Sequence, residues 1–149
     1  MRAIQSTAHT GAENLHALDR GDLTVVDRLA DFTAEGKRRR IYSFATKFCS
    51  WHSPETFPIY DCMVLAALLE IQRDDTFASF GAGDLQQYRR FVEVLGDFRR
   101  YYGLEEFNFR EIDKYLWRLG TTKSYKQGWQ VGDDASPTCF PTSRRHCRC

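Results

Sequence analysis

Between Ser43 and Asp61 the chain carries its one dense cluster of chemically capable side chains, Lys47, His52, Tyr60 and Asp61, with Tyr42 just ahead of it. A lysine within a helical turn of Ser43 and Ser50, close to a loop bearing Asp61, suits a buried ion pair or an anion site. Each residue also has a plainer structural role. Asp61 stands where a helix N-cap belongs, a role worth about 1 kcal/mol. Lys47 reads equally as a snorkelling surface lysine, and His52 as a partner for a helix C-terminus. Tyr60 and Trp117 read as core or rim aromatics. Next to the cluster, Lys37-Arg38-Arg39-Arg40 concentrates positive charge, and Arg38, Arg39 and Arg40 are candidate contacts for an anion or phosphate.

Helices must position these groups. Apolar spacing predicts a short helix over 12–18, then one capped by Asp22 that carries Leu23, Val26, Leu29 and Ala30 and stops near 33–36. The next begins around Lys37 to Arg40, an odd start because cations are disfavoured at a helix N-terminus. It places Ile41, Phe44, Ala45, Phe48 and Trp51 or His52 on its apolar face, with Tyr42, Ser43, Thr46, Lys47 and Ser50 turned elsewhere. Pro54 ends it, and the two prolines of 53–60 stiffen the link to Asp61.

Residues 62–72 are apolar nearly all round, as in a helix enclosed by others. Asp84 with Gln87 and Asn108 with Glu111 read as capping boxes for two further helices, which Gly103 and Gly120 close. Arg89, Glu93, Asp97 and Arg100 form a solvated mixed-charge stripe. No strand alternation stands out. The expected fold is all-α, a compact single-domain bundle of five or six helices around a buried helix over 62–72. Its parts are a flexible N-terminus over 1–11, a helical domain over 12–123 and a disordered tail over 124–149.

A chain of 149 residues, 42% hydrophobic and 14% aromatic, buries one core. Its net charge of +1 provides no global field for nucleic acid or an anionic membrane, and the basic tail leaves the body slightly acidic. With no apolar run of signal-peptide or membrane-spanning length, the expectation is a soluble cytoplasmic protein. Five irregularly spaced cysteines argue against a disulfide framework. Cys139, His146, Cys147 and Cys149 fit no compact zinc finger, so neither a metal nor a cofactor is expected.

The motifs Tyr42-Ser43-Phe44-Ala45-Thr46-Lys47-Phe48-Cys49-Ser50-Trp51-His52, Pro58-Ile59-Tyr60-Asp61 and Asp113-Lys114-Tyr115-Leu116-Trp117-Arg118-Leu119-Gly120 resemble a family of uncharacterised bacterial helical proteins. That likeness covers 22–123 and implies a shared fold without an assigned activity. A second, partial likeness is to helix-hairpin-helix DNA glycosylases, where a Pro-x-Asp segment sets a catalytic carboxylate at the start of a buried helix. It implies a catalytic role for Asp61, activating water or stabilising positive charge on a sugar. This chain departs from that pattern in having an extra residue before Asp61 and no Gly-x-Gly hairpin, so Lys47 is not carried over as a nucleophile.

Two functions follow. The leading one is a binding or adaptor protein with a groove near Tyr42, Lys47, Tyr60 and Asp61, taking a protein or small-molecule partner. The other is a minimal glycosylase-like enzyme on DNA, using Asp61 with Arg38 to Arg40 on phosphate. An exposed aromatic face serves a homodimer as readily as another partner.

Overall fold

Asp61 closes the loop after the first helices and opens the central one. Its Oδ1 accepts the amides of Met63 and Val64 at 2.9 and 3.0 Å, filling two of the orphan N–H positions at the start of α4 (Cys62–Asp75). The computed structural model describes residues 11–34 and 36–126, with the side chain of Ala34 and those from Lys123 onward left aside. Within that span, α1 (Gly11–Asp19) and α2 (Thr24–Ala30) precede a hairpin of β1 (Asp31–Ala34) and β2 (Lys37–Arg40). The chain continues as α3 (Tyr42–His52), α4, α5 (Tyr88–Tyr101) and α6 (Phe109–Lys126), with a 3-10 turn at Asp84–Gln86. The described residues thus hold six helices, and the fold is mostly helical as expected.

The hairpin corrects one expectation. Lys37 to Arg40 is an exposed strand, not a helix start, paired antiparallel with Asp31↔Arg40 and Thr33↔Arg38 in register. Gly36, at φ +72°, makes the turn. Charge explains the choice, because Arg38 reaches Asp31 at 2.8 Å while Arg40 reaches Asp27 at 2.7 Å and Asp31 at 3.2 Å. A helix N-terminus would have set these cations against its own dipole, whereas the ladder delivers them to carboxylates.

Val64, Leu65, Ala67 and Leu68 of α4 are buried against Phe57, Tyr88, Phe91, Val94, Phe98, Ile112 and Leu116. This is the enclosed helix the apolar run predicts, extended to Asp75. The α4 and α6 helices pack along each other, and Gly120 marks their closest approach. A Cβ built on Gly120 would stand 2.2 Å from the Met63 carbonyl oxygen. Gly120 therefore does not close α6, which runs on to Lys126 and carries helix past the expected boundary at 123.

The reciprocal box at Asn108 and Glu111 is present, with bonds of 2.9 and 3.0 Å. The one at Asp84 and Gln87 is not. Asp84 accepts the Gly81 amide at 2.8 Å, and α5 starts at Tyr88 without a side-chain cap. Gly103, at φ +63°, follows α5 as predicted. On the charged side of α5 the i,i+3 pairs are Arg90 with Glu93 and Asp97 with Arg100, so Arg90 takes the place expected of Arg89. The expected flexible N-terminus and the Cys139, His146, Cys147 and Cys149 group lie outside the described residues, apart from Gly11, which opens α1.

Candidate functional site

The phase of α3 is the reverse of the one its aromatic residues suggest. Tyr42, Ala45, Thr46, Cys49 and Ser50 face the core. Phe44, Phe48 and Trp51 face solvent, 63%, 48% and 89% exposed. Two amphipathic stripes compete on this helix, and the one containing hydroxyls is buried because the core supplies partners for them. The Thr46 hydroxyl takes the Tyr60 amide at 3.1 Å and lies 2.9 Å from the Ser43 carbonyl it donates to. The Tyr42 hydroxyl donates to the Leu85 carbonyl at 3.3 Å.

These contacts build a platform under Asp61. Tyr42 and Tyr60 rings lie 4.7 Å apart, Tyr60 meets Phe91 edge-on at 5.4 Å, and the Tyr88 hydroxyl donates to the Pro58 carbonyl at 2.8 Å. The segment from Pro58 to Tyr60, which leads into Asp61, is thereby held by Tyr42 of α3 and by Tyr88 and Phe91 of α5. Tyr42 and Tyr60 are each only 7% exposed, so they are buried supports and do not line a groove. Burial raises the Tyr42 phenol well above its ordinary range, which keeps it a neutral donor. Burial likewise pushes the Cys49 thiol up to about 12, as an inert core thiol.

The residue the sequence reading missed is Asp113, in the second turn of α6. Its Oδ1 is buried without a hydrogen-bond partner among the described residues. Burial raises its carboxyl to about 7, the charge of Asp61 pushes the same way, and Lys47, Arg110 and Lys114 offset part of the rise. Lys47, Asp61 and Asp113, from α3, the α4 cap and α6, thus form one electrostatic cluster. Its sequence signal was available. Phe109, Asp113, Leu116 and Gly120 recur at the spacing of a packed helix face, which places an acid where an apolar residue belongs.

The remaining candidates lie elsewhere. His52 Nε2 meets Asp19 Oδ1 at 2.9 Å, tying the end of α3 to the end of α1. Arg40 lies in its ion pairs and 4.8 Å over the Tyr42 ring, and Arg38 is held by Asp31. Of the three arginines, Arg39 alone has no carboxylate partner among the described residues. Those residues contain no group of His, Cys, Asp and Glu suited to a metal ion, and no helix long and apolar enough to cross a membrane.

Residues 9–56 match the family model HI_0787_N, described as an N-terminal domain. The chain is 48% identical over 103 residues to an uncharacterized protein of Haemophilus influenzae, a stretch making up 69% of this chain and 48% of that protein. The chain therefore spans about half the length of this curated relative. No solved structure matches. The likeness to an uncharacterised bacterial family stands on both matches, and neither supports the likeness to DNA glycosylases or a nucleic-acid partner.

Proposed function

We propose that this chain, similar over 69% of its length to an uncharacterised bacterial protein, is a binding module that takes a protein partner on the exposed face of α3, beside the Lys47, Asp61 and Asp113 cluster. The observation that carries the reading is the outward stripe of Phe44, Phe48 and Trp51 with Lys47 among them. Single exposed aromatics are ordinary on a surface, but three at spacings of four and three on one helix form a continuous apolar strip. Aromatic anchors are enriched at interface centres, with charged groups such as Lys47 placed toward the rim. On α6, Trp117, one turn beyond Asp113, is also 49% exposed. In this reading Lys47 and Asp113 meet a polar group of the partner, while Asp61 caps α4 and supplies fixed negative charge.

The test is a photo-crosslinking amino acid placed at Phe48 or Trp51, with Arg39 and Glu93 as control positions, in cells making the full chain. A discrete adduct at the first two positions, weakened by Lys47→Glu, is the expected result. Equal labelling at all four positions overturns the reading. Adducts of this chain with itself alone replace the partner with a second copy.

A second reading rests on Asp113. A carboxyl raised to about 7 beside Asp61 and Lys47 gives and takes a proton near neutrality, as general acid–base work requires. It predicts a turnover lost in Asp113→Asn and retained in Trp51→Ser, the opposite ranking to that of a partner-binding surface.

A further inference from the structure

A cavity of about 640 Å³ opens on another side of the molecule, between the C-terminal ends of α4 and α5 and the first half of α6. That is within the size range of small-molecule sites, roughly 300–1,000 Å³. Ile71, Phe98, Ile112 and Leu119 are among its apolar residues, with Phe98 and Ile112 themselves buried. Among the described residues its charged lining is all of one sign: Asp74, Asp75 and Glu111.

Two nearby arginines are engaged elsewhere. Arg99 donates to the Glu105 carbonyl at 2.6 Å and lies 5.1 Å over the Phe109 ring, and Arg100 pairs with Asp97. Two of the three carboxylates have internal duties, since Asp75 receives the Tyr102 hydroxyl and Glu111 holds the Asn108 amide. Asp74 has no hydrogen-bond or ion-pair partner among the described residues. An apolar pit floored by Phe98 and Ile112 is therefore rimmed by exposed carboxylates that no described cation neutralises, with Tyr102 and Tyr115 also in its lining.

We propose that this cavity binds a hydrophobic organic cation, its ammonium at Asp74 and Asp75 and its apolar body against Ile71, Phe98, Ile112 and Leu119. The carboxylates provide the charge-assisted contact, and the tyrosine rings offer cation–π faces to the same group. A neutral or anionic analogue of the same shape keeps the apolar contact and forfeits the rest, so charge decides selection. The inference is independent of the proposed partner face on α3, because it uses none of Lys47, Asp61 and Asp113.

The experiment compares 2-(2-naphthyl)ethylamine, 2-ethylnaphthalene and 2-naphthylacetate against the full chain by amide NMR titration. The expected result is binding of the amine at least about ten-fold tighter than the neutral compound, with the acid weakest. Shifts should centre on 71–75, 98–107 and 111–119. Asp74→Asn and Asp75→Asn should each reduce the amine's advantage while leaving the neutral compound unchanged. Equal binding of all three, shifts centred on Phe44 to Trp51, or no shifts at millimolar amine overturns the proposal. The last outcome would mean that another part of the chain fills the cavity.

Discussion

Asp113 and Asp61 bring two carboxyls into one electrostatic field, and their surroundings treat them differently. Asp61 accepts two backbone amides at the head of α4, whereas Asp113 keeps a buried oxygen without a hydrogen-bond partner among the described residues. One carboxylate is built into the helix start, and the other is left to answer to pH.

The Asp113 carboxyl sits at about 7 in the folded chain against 3.8 for the free group. The folded state thus holds the proton more tightly, so stability falls as pH rises through the window from about 4 to 7 and levels off above it. Discounted for its partial exposure, the loss is on the order of 1–2 kcal/mol. Asp113→Asn should remove this slope and be the more stable form at pH 8. Denaturant melts of both proteins between pH 4 and pH 8 measure it, and parallel curves would mean that Asp113 is solvated.

Replacing Asp61 separates its two duties. Asp61→Ala should cost about 1 kcal/mol through the lost cap, while Asp61→Asn still accepts the Met63 and Val64 amides and costs less. Both changes remove the negative charge, so both should lower the Asp113 pKa. Carboxyl carbon NMR titration reads that shift, and an unmoved Asp113 would show that burial alone sets its value.

The local features were legible in the sequence because they are decided within one turn. The Asp61 cap, the Asn108–Glu111 box and the enclosed run after Cys62 depend on residues three or four apart. The hairpin was not legible, since Lys37 to Arg40 has no alternation and its strand form is set by Asp27 and Asp31 across the chain. The α3 face was misread for a related reason. Hydropathy favours burying Phe44, Phe48 and Trp51, and only the bond from Tyr60 to Thr46 and that from Tyr42 to Leu85 reveal the other side as the inner one. Lys47 and Asp61 were identified as candidates; the spacing on α6 marks Asp113 as an acid on a packed face, but only the fold ties it to Lys47 and Asp61.

The exposed stripe should be dispensable for folding. Trp51 is 89% exposed, so Trp51→Ser should change stability by no more than about 0.5 kcal/mol. The same change should abolish the crosslinked adduct at Phe48. A melt shifted well beyond that limit would mean that Trp51 packs against part of this chain, and the stripe would then be an internal contact.

Gly120 is the most demanding position in the α4–α6 contact. Alanine is the better helix former by about 1 kcal/mol, and in an open helix Gly120→Ala would stabilise. Here the added methyl meets the Met63 carbonyl oxygen at 2.2 Å, a backbone atom that cannot rotate away. The helices must separate, and the cap at Asp61, two residues before Met63, must move with them. Gly120→Ala should therefore lose roughly 2 kcal/mol or more, the scale of an overpacked core, and should disturb the Asp113 titration as well. A variant as stable as the parent, with Asp113 still titrating near 7, would show that α6 can stand off from α4 without cost and that the cluster does not depend on their close approach.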